Sequence, residues 1–130
     1  MLYYGLDIST SIIGVSCFSA EGTYLWSKFV DLRKIDGILS KADIFKKWCD
    51  ENNVPIIGID NLPISKELES AQLPEKCVLF FGQEGAGMSD EATAVCETVL
   101  AIRQYGSTRS MNASAAAAIA MYAWAMQHLN

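Results

Sequence analysis

Val78–Gly87 reads VLFFGQEGAG, and Ile102–Trp124 reads IRQYGSTRSMNASAAAAIAMYAW. The first is a strand-like apolar run that breaks into a loop holding Gly82, Gly85 and Gly87. The second is a strand end, a polar glycine-containing loop and an alanine-rich helix expected to start near Ser110. Glycine lets backbone N–H groups come close to a ligand, because no Cβ holds it off. A helix start adds orphan N–H donors with positive dipole character. Two such loops at the carboxyl ends of parallel strands make a crevice of the kind in which α/β sheets bind ligands.

Working outward, Val54–Ile59 and Thr98–Ile102 read as further buried strands, apolar almost throughout. Ser89 is placed to cap a short helix over Asp90–Val95. Asp36–Glu51 carries Ile38, Leu39, Ala42, Phe45 and Cys49 at helical spacing, which leaves Lys41, Lys46 and Lys47 to a solvated face. Leu2–Ile8, Ile12–Ser19 and Thr23–Val30 are rich in β-branched and aromatic residues, with turns at Ser9–Ser11 and Ala20–Gly22. In the last helix Ile119, Tyr122 and Met126 form one stripe. The run Ala115–Ala118 permits close backbone approach, although alanine also suits any helix. Strands alternating with helices after residue 30, behind three opening strands, predict an α/β fold: a mixed, mainly parallel sheet sandwiched by helices.

Composition bounds the function. The chain has 130 residues and a net charge of −5, with 51% hydrophobic and 19% charged residues. That is one domain with a real core and no long disordered region. Residues 1–60 carry six basic and eight acidic groups, and residues 61–130 carry four and seven. Neither half has the clustered Lys and Arg of a nucleic-acid clamp, so RNA is expected only as a weak partner. Cys17, Cys49, Cys77 and Cys96 are widely spaced and His128 is the sole histidine. This predicts reduced thiols in a cytoplasmic protein and no metal site. No apolar run approaches ~18 residues, so no membrane span is expected.

FGQEGAGMS followed by IRQYGSTRSMNASAAAAIAMY resembles the second and third motifs of the SpoU/TrmH-type RNA 2′-O-methyltransferases, over about residues 54–130. The resemblance implies a C-terminal trefoil knot, bound S-adenosylmethionine and a homodimer built through the C-terminal helix. Carried onto this sequence, it assigns Gly82, Gly85, Gly87, Ile102, Gln104 and Ser110 to the cofactor. Glu84, Asn112 and Arg109 fall to the reacting centre or the RNA. Glycines that merely shape turns and a Ser110 that merely caps a helix are the plain readings of the same residues. Two positions depart from the family: Met111 stands for its usual Leu, and Arg103 for a frequent proline. The family's N-terminal motif, an Asn and a catalytic Arg, has no counterpart in residues 1–50, where Arg33 is the only arginine.

The opening GLDISTSIIGVSCF instead resembles the first hairpin of ribonuclease-H-like folds, including Holliday-junction resolvases. This suggests a single α/β domain over 1–130 composed of a ribonuclease-H-like segment, 1–53, and a SpoU-like segment, 54–130. A metal-dependent nuclease on Asp7 and Asp60 is one alternative, since two-metal phosphate chemistry needs clustered carboxylates. Met111–Asn130 supplies no Asp or Glu for it. A non-catalytic hybrid or designed fold is another. The leading expectation is an S-adenosylmethionine-binding domain with weak or absent methyl transfer to tRNA or rRNA.

Overall fold

The computed structural model describes residues 2–8, 12–83 and 85–129, with backbone alone at 2–8, 12–15, 30, 38 and 39. The chain divides into two compact units, Met1–Phe45 and Lys46–Asn130.

The first unit is an antiparallel meander of β1 (Leu2–Ile8), β2 (Ile12–Ser19) and β3 (Tyr24–Asp31), in that spatial order. The expected turn at 9–11 lies outside the described residues. The turn at 20–22 closes on Ser19, whose carbonyl accepts from Gly22 N–H at 3.0 Å and whose hydroxyl donates to Glu21 at 2.7 Å. That hydrogen bond holds the Glu21 carboxyl below its ordinary range. Gly22 sits at φ 81°, which a tight turn assigns to glycine. A register shift between Cys17 and Phe18 brings Phe18 opposite Tyr24, and their rings meet edge-on at 5.9 Å. After β3, Leu32 is buried among Ile35, Ile44 and Phe45.

Helix α1 (Ile38–Glu51) starts two residues later than the sequence predicts, behind Gly37 at φ 79°. Of its expected solvent-facing lysines Lys47 is exposed while Lys41 and Lys46 are half-buried; Lys46 pairs with Asp50, and Lys47 with Glu51 at 3.8 Å, both one turn apart. The chain leaves the helix through Asn53 in the left-handed region (φ 52°), and Val54 N–H donates to Cys49 O at 2.9 Å. Asparagine tolerates that conformation better than other side chains, which is why it ends helices.

The second unit is built on four parallel strands: β4 (Ile56–Ile59), β5 (Lys66–Glu67), β6 (Val78–Phe81) and β7 (Thr98–Ala101). Their spatial order is β5-β7-β4-β6. The mainly parallel α/β fold is therefore present, with the antiparallel strands in a sheet of their own. β4 is central and buried along its whole length, which accounts for its unbroken apolar sequence. Residues 66–70 divide into β5, whose two residues pair with Leu100 and Ala101, and a 3-10 turn over Leu68–Ser70. Ser89 caps α2 (Asp90–Ala94) by accepting from Ala92 N–H at 3.2 Å.

Helix α3 (Ala113–His128) is the main cover of this sheet. Its cap is Asn112 rather than Ser110: Asn112 Oδ1 accepts from Ser114 N–H at 2.9 Å and from Ala115 N–H at 3.4 Å. Ala120, fully buried, lies in a core with Ile57, Ile59, Leu68, Leu73 and Leu100, and Ala123 and Trp124 pack against it. Small residues thus face the sheet, while the stripe of Ile119, Tyr122 and Met126 is exposed. The end of α3 also grips the segment before β6. Trp124 Nε1 donates to Pro74 O at 3.0 Å, Gln127 Nε2 to Ala71 O at 3.1 Å, and Leu73 N–H donates to Gln127 Oε1 at 2.9 Å. His128 Nε2 lies 2.9 Å from Leu73 O.

Two outcomes are expected from this packing. Gln127→Ala removes two bonds to otherwise unpaired backbone and should cost about 1–3 kcal/mol, read as a lower urea midpoint at unchanged slope. All four cysteines are free, and burial pushes Cys49, Cys77 and Cys96 from an ordinary 9.0 to about 11. Raised acids keep their protons longer when folded, so stability should fall as pH rises from about 9 to about 11. Thiol reagents at pH 8 should label these three far faster in denaturant than in buffer.

Candidate functional site

β4, β6 and β7 all end at the same edge of the parallel sheet, and their next residues bound one crevice. From β4 the chain goes out to β5 at one edge, crosses back to β6 on the other side of β4, and returns to β7 between β5 and β4. The crevice therefore opens where the strand order reverses, the usual ligand position in such sheets. Its volume is about 270 Å³, close to the lower end of small-molecule pockets (~300–1,000 Å³).

The glycine loop forms its first wall. Gly87 N–H donates to Gln83 O at 2.9 Å and closes the loop, with Gly85 at φ 86° and Gly87 at φ 72°. Conformations of this kind strain any residue with a Cβ. Gly82 has a different reason to be glycine. A Cβ there would lie 2.7 Å from Asp60 Oδ2, 2.7 Å from Met88 N and 2.8 Å from Gly87 C. A Cβ on Gly87 would likewise lie 2.7 Å from Asp60 Oδ2. The two glycines leave a notch, and the Asp60 carboxylate fills it.

Asp60 follows β4 directly. Its Oδ2 accepts from Met88 N–H at 2.7 Å and its Oδ1 from Asn61 N–H at 2.8 Å. Its own N–H donates to Leu100 O at 3.0 Å, and its carbonyl accepts from Ser65 Oγ at 2.7 Å. Met88 is held from the other side as well. Its buried side chain lies against Gly58, where an added Cβ would come within 3.1 Å of its sulfur.

The loop between β7 and α3 forms the second wall. Asn61 Nδ2 donates to Arg109 O at 3.2 Å, and Gln104 Nε2 donates to the same carbonyl at 3.3 Å. At the loop's start Arg103 pairs with Glu67, which raises its guanidinium above the ordinary range. Arg103 N–H also donates to Glu69 Oε1 at 3.0 Å. Proline, lacking that N–H, cannot make this bond, so the departure from the family pattern ties the loop to the 3-10 turn.

Of the residues assigned from sequence, Gly82, Gly85 and Gly87 line the crevice, as do Ile102, Gln104, Arg109 and Ser110. Glu84 lies outside the described residues. The Asn112 side chain is engaged in capping α3. Sequence reasoning missed Asn61 and gave Asp60 a different part, as a metal ligand. Both oxygens of Asp60 are committed to backbone amides, and among the described residues no three His, Cys, Asp or Glu gather as a metal set. Asp7 pairs with Gly14 in the meander, and its side chain is not among those described. Arg33 is bound to its neighbour, with Nε 2.9 Å from Asp31 Oδ1 and a terminal nitrogen 2.7 Å from Oδ2. This bidentate pair lowers Asp31 to about 2.

Among the described residues no helix is long and apolar enough to cross a membrane. A sequence model of the SpoU rRNA methylase family matches residues 17–122. The chain is 31% identical to a tRNA (guanosine(18)-2′-O)-methyltransferase of Borreliella burgdorferi over 78% of its length. It is 28% identical to one of Saccharomyces cerevisiae over 70% of its length. It spans 44% of the first relative and 6% of the second. A solved TrmH-family structure from Porphyromonas gingivalis superposes with a TM-score of 0.54 at 29% identity, covering 62% of this chain and 33% of that one. The family match begins within β2, well before residue 54, and gives a joint between two ancestries no support.

The notch makes a graded prediction. Gly82→Ala must displace Asp60 or the Met88 backbone and should cost about 1–3 kcal/mol. Gly85→Ala meets nothing within 4 Å, so only its positive φ is charged, about 1–2 kcal/mol. Chemical denaturation compares the two. The Gly82 variant should also disturb the Met88 amide resonance, and the Gly85 variant should leave it in place.

Proposed function

This chain belongs to the SpoU rRNA methylase family, and we propose from that premise that its crevice binds S-adenosylmethionine. On this reading the chain is the cofactor domain of an RNA 2′-O-methyltransferase. The observation that carries it is the pairing of two loops around one crevice at the carboxyl ends of the central parallel strands. Gly82, Gly85 and Gly87 would admit the cofactor to the backbone of the first loop. Ile102, Gln104 and Ser110 would meet it from the second. S-Adenosylmethionine supplies an electrophilic methyl group when bound. The C-terminal trefoil knot implied by the family resemblance remains part of this proposal.

Ribose methylation forms an oxygen–carbon bond at the 2′-hydroxyl, breaks the carbon–sulfur bond and releases the hydroxyl proton. Alignment of the two partners accounts for much of the acceleration such a reaction needs. The remainder needs a group to take or stabilise the proton. Glu84, Asn112 and Arg109 are the proposed contributors near the reacting centre. Arg109 is exposed beside the crevice and suits an RNA phosphate. The arginine of the family's N-terminal motif has no replacement in Arg33, which is committed to Asp31. With a net charge of −5, the chain also lacks a field that would draw RNA in. Cofactor binding with weak or absent methyl transfer is the combination these features support. The curated relatives act on guanosine 18 of tRNA, so tRNA is the first substrate to try.

A homodimer is the proposed assembly. Tyr122 is 67% exposed on α3, with Met121, Met126 and Ile119 beside it. An apolar patch of this kind is costly to leave in water. The unpaired thiols fit a reducing compartment such as the cytoplasm.

Calorimetry with S-adenosylmethionine or S-adenosylhomocysteine tests the binding. Heat and a thermal shift are expected, and neither at ~1 mM ligand, where even about −4 kcal/mol would register, would remove the reading. Radiolabelled methyl transfer to tRNA should fall well below ~1 per second, a rate at the low end for enzymes. A rate of that size, abolished by Asn112→Ala, would contradict the inactive assignment. Light scattering should give twice the monomer mass, and Tyr122→Glu should return it to the monomer.

A further inference from the structure

We infer that Asp60 and Asn61 are the positioning residues of the crevice: one dipeptide at the end of β4 sets the separation of its two walls and through it the ligand affinity. The inference rests on reading the crevice as an S-adenosylmethionine site, and neither residue belongs to the motifs that suggested that reading. Consecutive side chains leaving an extended strand point to opposite sides. Here Asp60 turns to the glycine loop and Asn61 to the loop before α3. Asp60 Oδ2 takes Met88 N–H at 2.7 Å, and Asn61 Nδ2 reaches Arg109 O at 3.2 Å.

The anchor behind this pair is rigid. Asp60 N–H is bound to Leu100 O of β7, and Asp60 O to the Ser65 hydroxyl. The other ties of the two walls do not cross the crevice: Arg103 holds the second loop to Glu67 and Glu69, and the Met88 side chain packs against Gly58. The glycine loop closes on itself through Gly87 N–H to Gln83 O. The second loop does so through Gln104 Nε2 to Arg109 O. Those bonds shape each loop without fixing the gap between the two.

A local explanation for Asp60 is that its carboxylate merely caps Asn61 N–H in a turn. Such a turn would not need the bond to Met88, 28 residues away. Nor would it need glycine at both 82 and 87, where a Cβ would lie 2.7 Å from the same oxygen. Chain and carboxylate are fitted to each other. Charge-assisted bonds to backbone N–H groups are also the stronger class.

The chemistry selects two variants of nearly unchanged size. Asp60→Asn offers one oxygen to two N–H donors, so its amide nitrogen must face one of them. Asn61→Asp sets a carboxylate oxygen against the Arg109 carbonyl, where a donor stood. Thermal melting first establishes that each variant is folded. Amide spectra without ligand should then show separable signatures. Asp60→Asn should shift Met88 and speed its hydrogen exchange, with residues 85–87 following. Asn61→Asp should move residues 104–112. A general loss of stability would instead spread over the whole sheet. With S-adenosylhomocysteine as the probe, each variant should bind about tenfold more weakly, the consequence of about one net hydrogen bond.

Folded variants whose affinity stays within about twofold of the unmodified chain would overturn the inference. So would an Asp60→Asn spectrum in which Met88 does not move. If the unmodified chain binds no S-adenosylhomocysteine, the cofactor reading fails. The ligand-free spectra then decide the positioning claim: loop-specific shifts uphold it, and their absence overturns it.

Discussion

A carboxylate seated between two glycines holds this site together. Asp60 Oδ2 lies 2.7 Å from Met88 N and in contact range of the positions where Cβ atoms at 82 and 87 would sit. Remove the glycines and the carboxylate has no room. Remove the carboxylate and the Met88 amide loses its partner while the loop loses its tie to the central strand. The chain behind Asp60 is the buried strand β4, paired on both sides, so its position follows from the packing of the sheet. Core burial is thereby converted into the placement of a polar loop. Physically, the site is the end of the sheet.

The same economy governs the helix. α3 turns Ala120 and Ala123 to the sheet and uses Trp124, Gln127 and His128 to satisfy the backbone of Ala71–Pro74. That segment is irregular and half-buried, where unpaired backbone groups are costly. The helix's bulky apolar residues are left facing outward. A helix apolar on both faces needs two partners, and the sheet provides one.

Much of this was legible in the sequence, for physical reasons. β4, β6 and β7 are short apolar runs between turn signals, and the three strands of the meander are rich in β-branched and aromatic residues, so composition and turn signals sufficed. The Ser89 cap was legible because capping is local. Four features were not. The start of α3 shifts from Ser110 to Asn112 because both side chains can cap and only the loop's path chooses between them. β5 is two residues long and owes its existence to β7 rather than to its own sequence. Asp60 looked like a metal ligand because a carboxylate after a buried strand is compatible with several partners. Its true partner lies 28 residues on. The glycines at 82 and 87 were read correctly as a loop that admits close approach, yet the group filling their notch belongs to the protein. Asn61 carried no signal at all, since a lone asparagine after a strand reads as a turn.

The central proposal, resting on membership of the SpoU rRNA methylase family and on the crevice, is that the walls at 82–88 and 102–111 are a preformed seat for S-adenosylmethionine. A crystal structure grown with S-adenosylhomocysteine tests it most directly. The account predicts ligand density between these loops, within reach of their backbone groups, and the Asp60–Met88 and Asn61–Arg109 bonds intact. Density at another place, or a crevice left empty by a ligand bound in solution, would contradict it.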